Sequence, residues 1–358
     1  MKNKSPSNNE KERIIEEVQK LLEERGRKPL EMARKAILEE EIESKEVKEA
    51  LHYFITEYWH DLARPTLMSI CCEAVGGDPN ATIPFAVPLS LISGALDIQD
   101  DIIDQSKTKH GRPTVYGKYG KEIAILAADA LLFKGFTLLS EAYMQIPREK
   151  AREIMKTIKD MFYELGDAEA LELNLRGRID ITPEEYLQII RKKAADVEAH
   201  TKIAAIIGNA TEKEEESLSH YGRTLGMIII LRDEIIDTLN SKEAIHRLRK
   251  EHLPLPLIYC IKSFSPAFDK ILKKRTWTKH SVQQILKKVE KQKGIKFVKA
   301  LIDKFVKEAT LKINSMRRAN NFLELLIRTF AITDINFNEN KNKISSLKEV
   351  TNPTRRVF

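Results

Sequence analysis

Cysteine is scarce: the 358-residue chain holds three, Cys71, Cys72 and Cys260. An odd count with two adjacent members gives neither a disulfide framework nor a zinc-ligand spacing. It fits a reducing setting, and a cytoplasmic location is the expectation. Glycine (14) and proline (13) are also sparse for this length, which disfavours a turn-rich all-β fold. No uninterrupted apolar run approaches the roughly 18 residues needed to span a bilayer, so no transmembrane segment is expected. The polar start, MKNKSPSNNE, has no apolar signal-peptide core. Sustained period-two alternation is missing as well, which argues against strands.

Hydrophobic residues make up 42% of the chain, enough for a sizeable core and too many for global disorder. Charge is balanced, with 60 basic and 53 acidic residues and a net +7. Much of the basic excess lies in the last third, where it reads as solvated helix faces; no nucleic-acid partner is expected. Apolar residues recur at three-four spacing among charges over residues 11–57, as in Ile14, Ile15, Val18, Leu21 and Leu22, which predicts helix. Gly76 to Asn80 reads as a turn. Thr182-Pro183-Glu184-Glu185 reads as a helix start with a capping box, and Ser265-Pro266 as another start. The expectation is an all-α fold in one domain, residues 11–337, between flexible tails at 1–10 and 338–358.

Two acidic clusters interrupt apolar helical stretches. LISGALDIQDDIIDQS carries Asp97, Asp100, Asp101 and Asp104; GMIIILRDEIIDTLN carries Asp233, Glu234 and Asp237. Pairs four residues apart share one helix face and repel. Their apolar surroundings predict burial, where unpaired carboxylates are costly. Two such clusters with one D-[DE]-x-x-D pattern point to facing carboxylate walls around a divalent cation. All-oxygen donors with no cysteine or histidine nearby argue for Mg²⁺, which shares its remaining positions with water and phosphates. The implied substrate is a phosphate or diphosphate.

At this point the chain resembles the all-trans isoprenyl diphosphate synthases, the polyprenyl synthetase family. The likeness runs from about Arg64 to Tyr259. Arg64-Pro65 with Cys72 to Asp78 is similar to that family's first block, and Asp100 to Asp104 to its first aspartate-rich motif. Gly111 to Tyr116 and Ala124 to Leu132 follow in order. Tyr186 to Ala195 resembles the segment that supplies a substrate-binding lysine, here Lys193. Gly222 to Gly226 then leads into Asp233 to Asp237, similar to the second motif. In order over about 200 residues, these pieces are specific.

The resemblance implies a large helical bundle of the isoprenoid synthase type around a deep apolar cavity, usually as a homodimer. It implies that Asp100, Asp101, Asp104, Asp233 and Asp237, with Glu234 assisting, hold Mg²⁺. It implies that Arg64, Lys109, His110, Arg112 and Lys193 carry diphosphate charge. The substrates would be an allylic prenyl diphosphate and isopentenyl diphosphate. Ala95 and Leu96, about 6 to 7.5 Å upstream of Asp100 along the helix axis, would line the cavity for the growing tail. Both are too small to form an aromatic floor, and Ser93 and Gly94 would open the wall further. Products of twenty carbons or more are therefore expected, shortened by Ala95→Phe.

Departures from the family pattern gather on the second diphosphate's site. The cation-rich block before Arg64 is Trp59-His60-Asp61-Leu62-Ala63, which loses two cations and gains Asp61. Gln99 replaces a histidine, Lys109-His110 an arginine pair, and Glu234 an aspartate. The stretch after the second motif is shortened to Thr238–Lys250. Two further readings thus accompany chain elongation. One is cyclisation or transfer to another acceptor. The other is a weak subunit tuning an active synthase in a heteromer.

Overall fold

The computed structural model describes residues 8–109, 111–264, 268, 278–314, 316 and 321–332. His110, the Ser265-Pro266 helix start and the tail at 338–358 lie outside the described residues. At the other end, residues 8–10 already belong to the first helix.

The first helical stretch is divided. α1 (Asn8–Leu38) and α2 (Lys45–His52) are separated by residues 39–44. Ser44 caps α2 by accepting from the Val47 N–H, satisfying one of the donors that a helix start leaves unpaired. The chain then widens into a π-helical turn, Tyr53–Tyr58. α3 (Ala63–Ala74) is buried along almost its whole length. Gly76 and the 3-10 turn Pro79–Thr82 make the expected turn into α4 (Ile83–Ile103).

A two-residue antiparallel hairpin follows, β1 (Thr108–Lys109) and β2 (Arg112–Pro113). α5 (Val115–Tyr119), α6 (Lys121–Tyr143) and α7 (Arg148–Leu173) come next. α8 (Pro183–Lys193) starts as expected, with Pro183 in its first turn and Thr182 accepting from the Glu185 N–H. The Glu185 carboxylate does not return to the cap; it pairs with Arg178 at 2.7 Å. α9 (Ala195–Ile207), α10 (Glu212–Leu239), α11 (Ser241–Lys250) and α12 (Leu255–Phe264) complete the part that frames the site. Further helices span Lys279–Lys291, Gly294–Asn314 and Asn321–Phe330.

The architecture is all-α, as the sequence predicts. α4 packs chiefly on α6, and α10 on α9 and Gly294–Asn314. Gly222 permits the α9–α10 approach: a Cβ there would stand 2.2 Å from the Thr201 hydroxyl and 2.8 Å from the Val197 carbonyl oxygen. Two apolar clusters form the core. The larger gathers α1, α3 and α7 to α10, and the smaller gathers the π-turn, α4 and α6.

Counting uninterrupted apolar runs understates two helices. Pro79–Ile103 and Lys121–Tyr143 are long and apolar enough to cross a membrane by length and composition. The first is a core helix, with 78% of its apolar window buried. The second buries only 33% of its window and exposes Ile125, Leu126, Phe133 and Phe136. Successive residues turn about 100° at 3.6 per turn, so these four share one face.

Candidate functional site

The C-terminal ends of α4 and α10 bring both acidic clusters into buried positions. Asp97, Asp100, Asp101, Asp233, Glu234 and Asp237 are all less than a tenth exposed, and Asp104 caps α4. Like charges at four-residue spacing need compensation when buried, and a basic partner stands on each wall. The hairpin turns Lys109 back onto α4, where its Nζ bridges Asp100 at 3.2 Å and Asp101. Arg176 reaches Asp104 at 3.2 Å. Arg232, fully buried, donates to Asp233 at 3.0 Å. Arg247 of α11 holds Glu234 at 2.5 Å and lies 3.9 Å from Asp237.

Glu234 is more committed than the sequence suggests. Its Oε1 accepts from the Tyr186 hydroxyl at 3.0 Å, and its Oε2 from the Leu255 N–H at 2.7 Å. With Arg247 also on it, both carboxylate oxygens serve protein donors.

The expected diphosphate cations are likewise spoken for. Arg64 is 3% exposed and pairs with Asp61 at 2.5 Å and Asp196 at 2.8 Å. The acid gained at Asp61 is what takes it. Lys193, at the end of α8, lies 2.8 Å from Glu169 and also on Glu172. Burial alone would lower its pKa, but Glu172 and Glu169 outweigh that and raise it well above the ordinary lysine value. Arg112 pairs with Lys109 across the hairpin, but its side chain is on the surface and donates to the Glu57 carbonyl at 3.1 Å. The structure therefore gathers Lys109 and Lys193 toward the carboxylates, and leaves Arg64 and Arg112 in contacts of their own.

Sequence reasoning missed Glu169, Glu172, Arg176, Arg232, Arg247, Tyr186 and His252 as parts of this network. His252 Nε2 meets Glu172 and lies 3.2 Å from the Tyr186 hydroxyl. A shallow recess borders Asp104, Glu169, Glu172, Arg176, Glu251 and His252.

The wall upstream of Asp100 differs from expectation. Ser93 donates to Asp196 at 3.4 Å, and a Cβ on Gly94 would lie 2.9 Å from the Phe54 ring. Phe54 stacks on Trp59 with centroids 5.7 Å apart. Neither Ser93 nor Gly94 opens a wall. Phe54 of the π-turn and Trp59 just after it fill that level, and Ala95 is buried in the same cluster.

The donor set fits a hard divalent cation. Every candidate ligand is a carboxylate, and one ammonium already bridges Asp100 and Asp101. Among the described residues no three ligating side chains meet at one point. A bound Mg²⁺ would complete its shell with water or phosphate oxygens.

Asp97 gives a pH signature outside the candidate ligands. Burial pushes its carboxyl well above the ordinary range, against Arg64 and Lys109. A raised folded pKa contributes stability that is whole below the unfolded value of about 4 and is lost as pH climbs. Asp97→Asn should therefore be at least as stable as wild type at neutral pH, with the difference shrinking toward pH ~4. Thermal melts across that range check this. A deficit that grows as pH rises would contradict it.

Comparison with known proteins points to one family. The polyprenyl synthetase family model matches residues 44–289. A short chain isoprenyl diphosphate synthase of Methanothermobacter thermautotrophicus is 34% identical over 184 residues, 51% of this chain and 55% of the relative. A geranylgeranyl diphosphate synthase of Methanosarcina mazei is 31% identical over 193 residues, 53% and 58% of the two chains. The chain thus spans little more than half the length of the curated relatives it matches. The crystal structure of a geranylgeranyl pyrophosphate synthetase from Pyrococcus horikoshii superposes with a TM-score of 0.80 at 27% identity, covering 89% of this chain and 99% of that one. A heptaprenyl diphosphate synthase from Staphylococcus aureus shares the fold at 20% identity, with a TM-score of 0.76 over 87% and 98% of the chains.

Proposed function

The chain belongs to the polyprenyl synthetase family, and from that premise we propose that it is a trans-prenyltransferase. It ionises an allylic diphosphate and joins the allylic carbon to isopentenyl diphosphate, giving a longer prenyl diphosphate. The observation that carries this reading is the pair of buried carboxylate walls on α4 and α10, each only partly offset by protein cations. Asp100, Asp101, Asp104, Asp233 and Asp237 would hold Mg²⁺. When bound, the metal absorbs the charge of the departing diphosphate, which is otherwise a poor leaving group.

The chain's own residues do the rest. Lys109 is placed to move from Asp100 and Asp101 onto a phosphate oxygen as metal arrives. Lys193 stays charged between Glu169 and Glu172 and adds positive charge beside the leaving group. The apolar side chains around Ala95 and Leu96 keep water from the allylic cation, which water would quench. The free, buried thiols of Cys71, Cys72 and Cys260 suit a reducing compartment such as the cytoplasm.

Purified protein incubated with Mg²⁺ and an allylic diphosphate, with and without isopentenyl diphosphate, tests the reading. Longer diphosphates are expected. Hydrocarbons or alcohols would establish a second reading, another fate for the cation, which the pairing of buried Arg64 with Asp61 and Asp196 favours. No turnover under any condition would contradict both.

Chain length has its own test. Replacing the aromatic beside Gly94 should open the tail space, so Phe54→Ala should lengthen the products seen by chromatography. Ala95→Phe, the converse change, enters a packed core and should also cost about 1 to 3 kcal/mol of stability. Unchanged products in Phe54→Ala would place the limit elsewhere.

We further propose a homodimer through the exposed α6 face. Phe133 is 75% exposed, and on α7 Tyr163 is 77% exposed. Large exposed apolar side chains of this kind mark association when they gather on one face. Wild type should sediment as a dimer and Phe133→Glu as a monomer. A monomeric wild type, or a dimeric variant, would contradict the assignment.

A further inference from the structure

α11 occupies the stretch that the family resemblance reads as shortened, and it carries a side chain that no motif announces. Arg247 is 3% exposed although it is a cation near a helix end. Three carboxylates surround its guanidinium: Glu234 at 2.5 Å, Glu251 at 3.3 Å and Asp237 at 3.9 Å. The same helix crosses to the first wall's loop, where Lys250 donates to Gln105 at 3.2 Å and His246 lies 3.4 Å from the Ser106 hydroxyl. Arg247 is thereby fixed against the second wall from outside it.

Glu234 explains why a guanidinium belongs there. The longer side chain standing in place of an aspartate reaches the Tyr186 hydroxyl and the Leu255 N–H. Those contacts hold it as an acceptor for protein donors. A divalent ion at this point would have to strip away three donors. A guanidinium is compatible with all of them, because its planar fork donates to carboxylates directionally.

We propose that Arg247 stands in for one divalent cation at the Glu234–Asp237 end of the second wall, and that Glu234 is its positioning partner rather than a metal ligand. This rests on the metal-site reading of the two walls. It narrows that reading: the metal complement is carried by the first wall together with Asp233, and Arg247 supplies the remaining positive charge. As a fixed charge it is present before substrate binds and does not depend on metal concentration.

The test counts Mn²⁺ bound to the full chain by electron paramagnetic resonance, with Mn²⁺ alone as probe. Arg247→Met removes the guanidinium that Glu234, Glu251 and Asp237 share and should bind about one more Mn²⁺ per chain than wild type. Arg247→Lys, which keeps the charge, should match wild type. Glu234→Gln should also match wild type, since its amide oxygen still accepts from Tyr186. An unchanged count in Arg247→Met, or a lost Mn²⁺ in Glu234→Gln, overturns the proposal. If Arg247→Met does not fold, the Glu234→Gln count decides alone. Asp100→Ala separates the two readings: it must lose Mn²⁺ if the walls bind metal, whatever Arg247 does.

Discussion

Asp100→Ala should abolish turnover, with kcat reduced by at least about 10²- to 10³-fold, the scale of removing one preorganised group that stabilises transition-state charge. Stability should barely move. Lys109 bridges Asp100 and Asp101, so the variant keeps a carboxylate for that ammonium while losing a repelling neighbour. A change within about 1 kcal/mol is expected. Steady-state kinetics and denaturant melts on the same preparation separate the effects. Full activity in this variant would remove the first wall from the mechanism.

Arg64→Met should behave in the opposite way, as a loss of stability. Arg64 is buried between Asp61 and Asp196, and those carboxylates outweigh burial in raising its pKa above the ordinary value. Removing one member of a buried ion pair strands the others, at about 3 to 5 kcal/mol. Asp61 also accepts from the Ala63 and Arg64 N–H groups at the start of α3, so the damage extends to that helix end. A fall in the urea midpoint of that size is expected. A raised KM for a diphosphate substrate with unchanged stability would restore the substrate-binding role that the motif suggests.

These two variants mark where the sequence is legible and where it is not. The carboxylate walls could be read because their evidence is local: two acidic pairs at helical spacing inside apolar stretches. The all-α class followed from sparse glycine and proline and from the three-four periodicity. Arg64 could not be read the same way. Its partner Asp196 is 132 positions away, and no spacing rule reports such a pairing. Asp61 was visible as an unexpected acid, but a nearby acid alone does not reveal that the arginine turns inward.

The tail wall shows the same limit. Ala95 and Gly94 are small, and smallness on one helix reads equally as open space or as close packing. Phe54 decides between them from a different element, forty residues earlier. Arg247 was hidden for another reason. α11 mixes charges on a short helix, which reads as a solvated face; only its tertiary position against α10 buries the guanidinium. The α6 face was missed because Asp129 and Lys134 interrupt its apolar sequence, although both lie within a helix that exposes Phe133 and Phe136.

The central claim is that two walls on separate helices serve a single metal–diphosphate centre. The direct measurement is a double-mutant cycle on Asp100→Ala and Asp233→Ala, read as Mn²⁺ affinity in the presence of inorganic diphosphate. Groups that act as one unit give strongly non-additive losses, whereas independent sites add within about 0.3 to 0.5 kcal/mol. The account predicts that the double variant binds little worse than either single one. Losses that add would contradict it, because each wall would then hold its ligand alone.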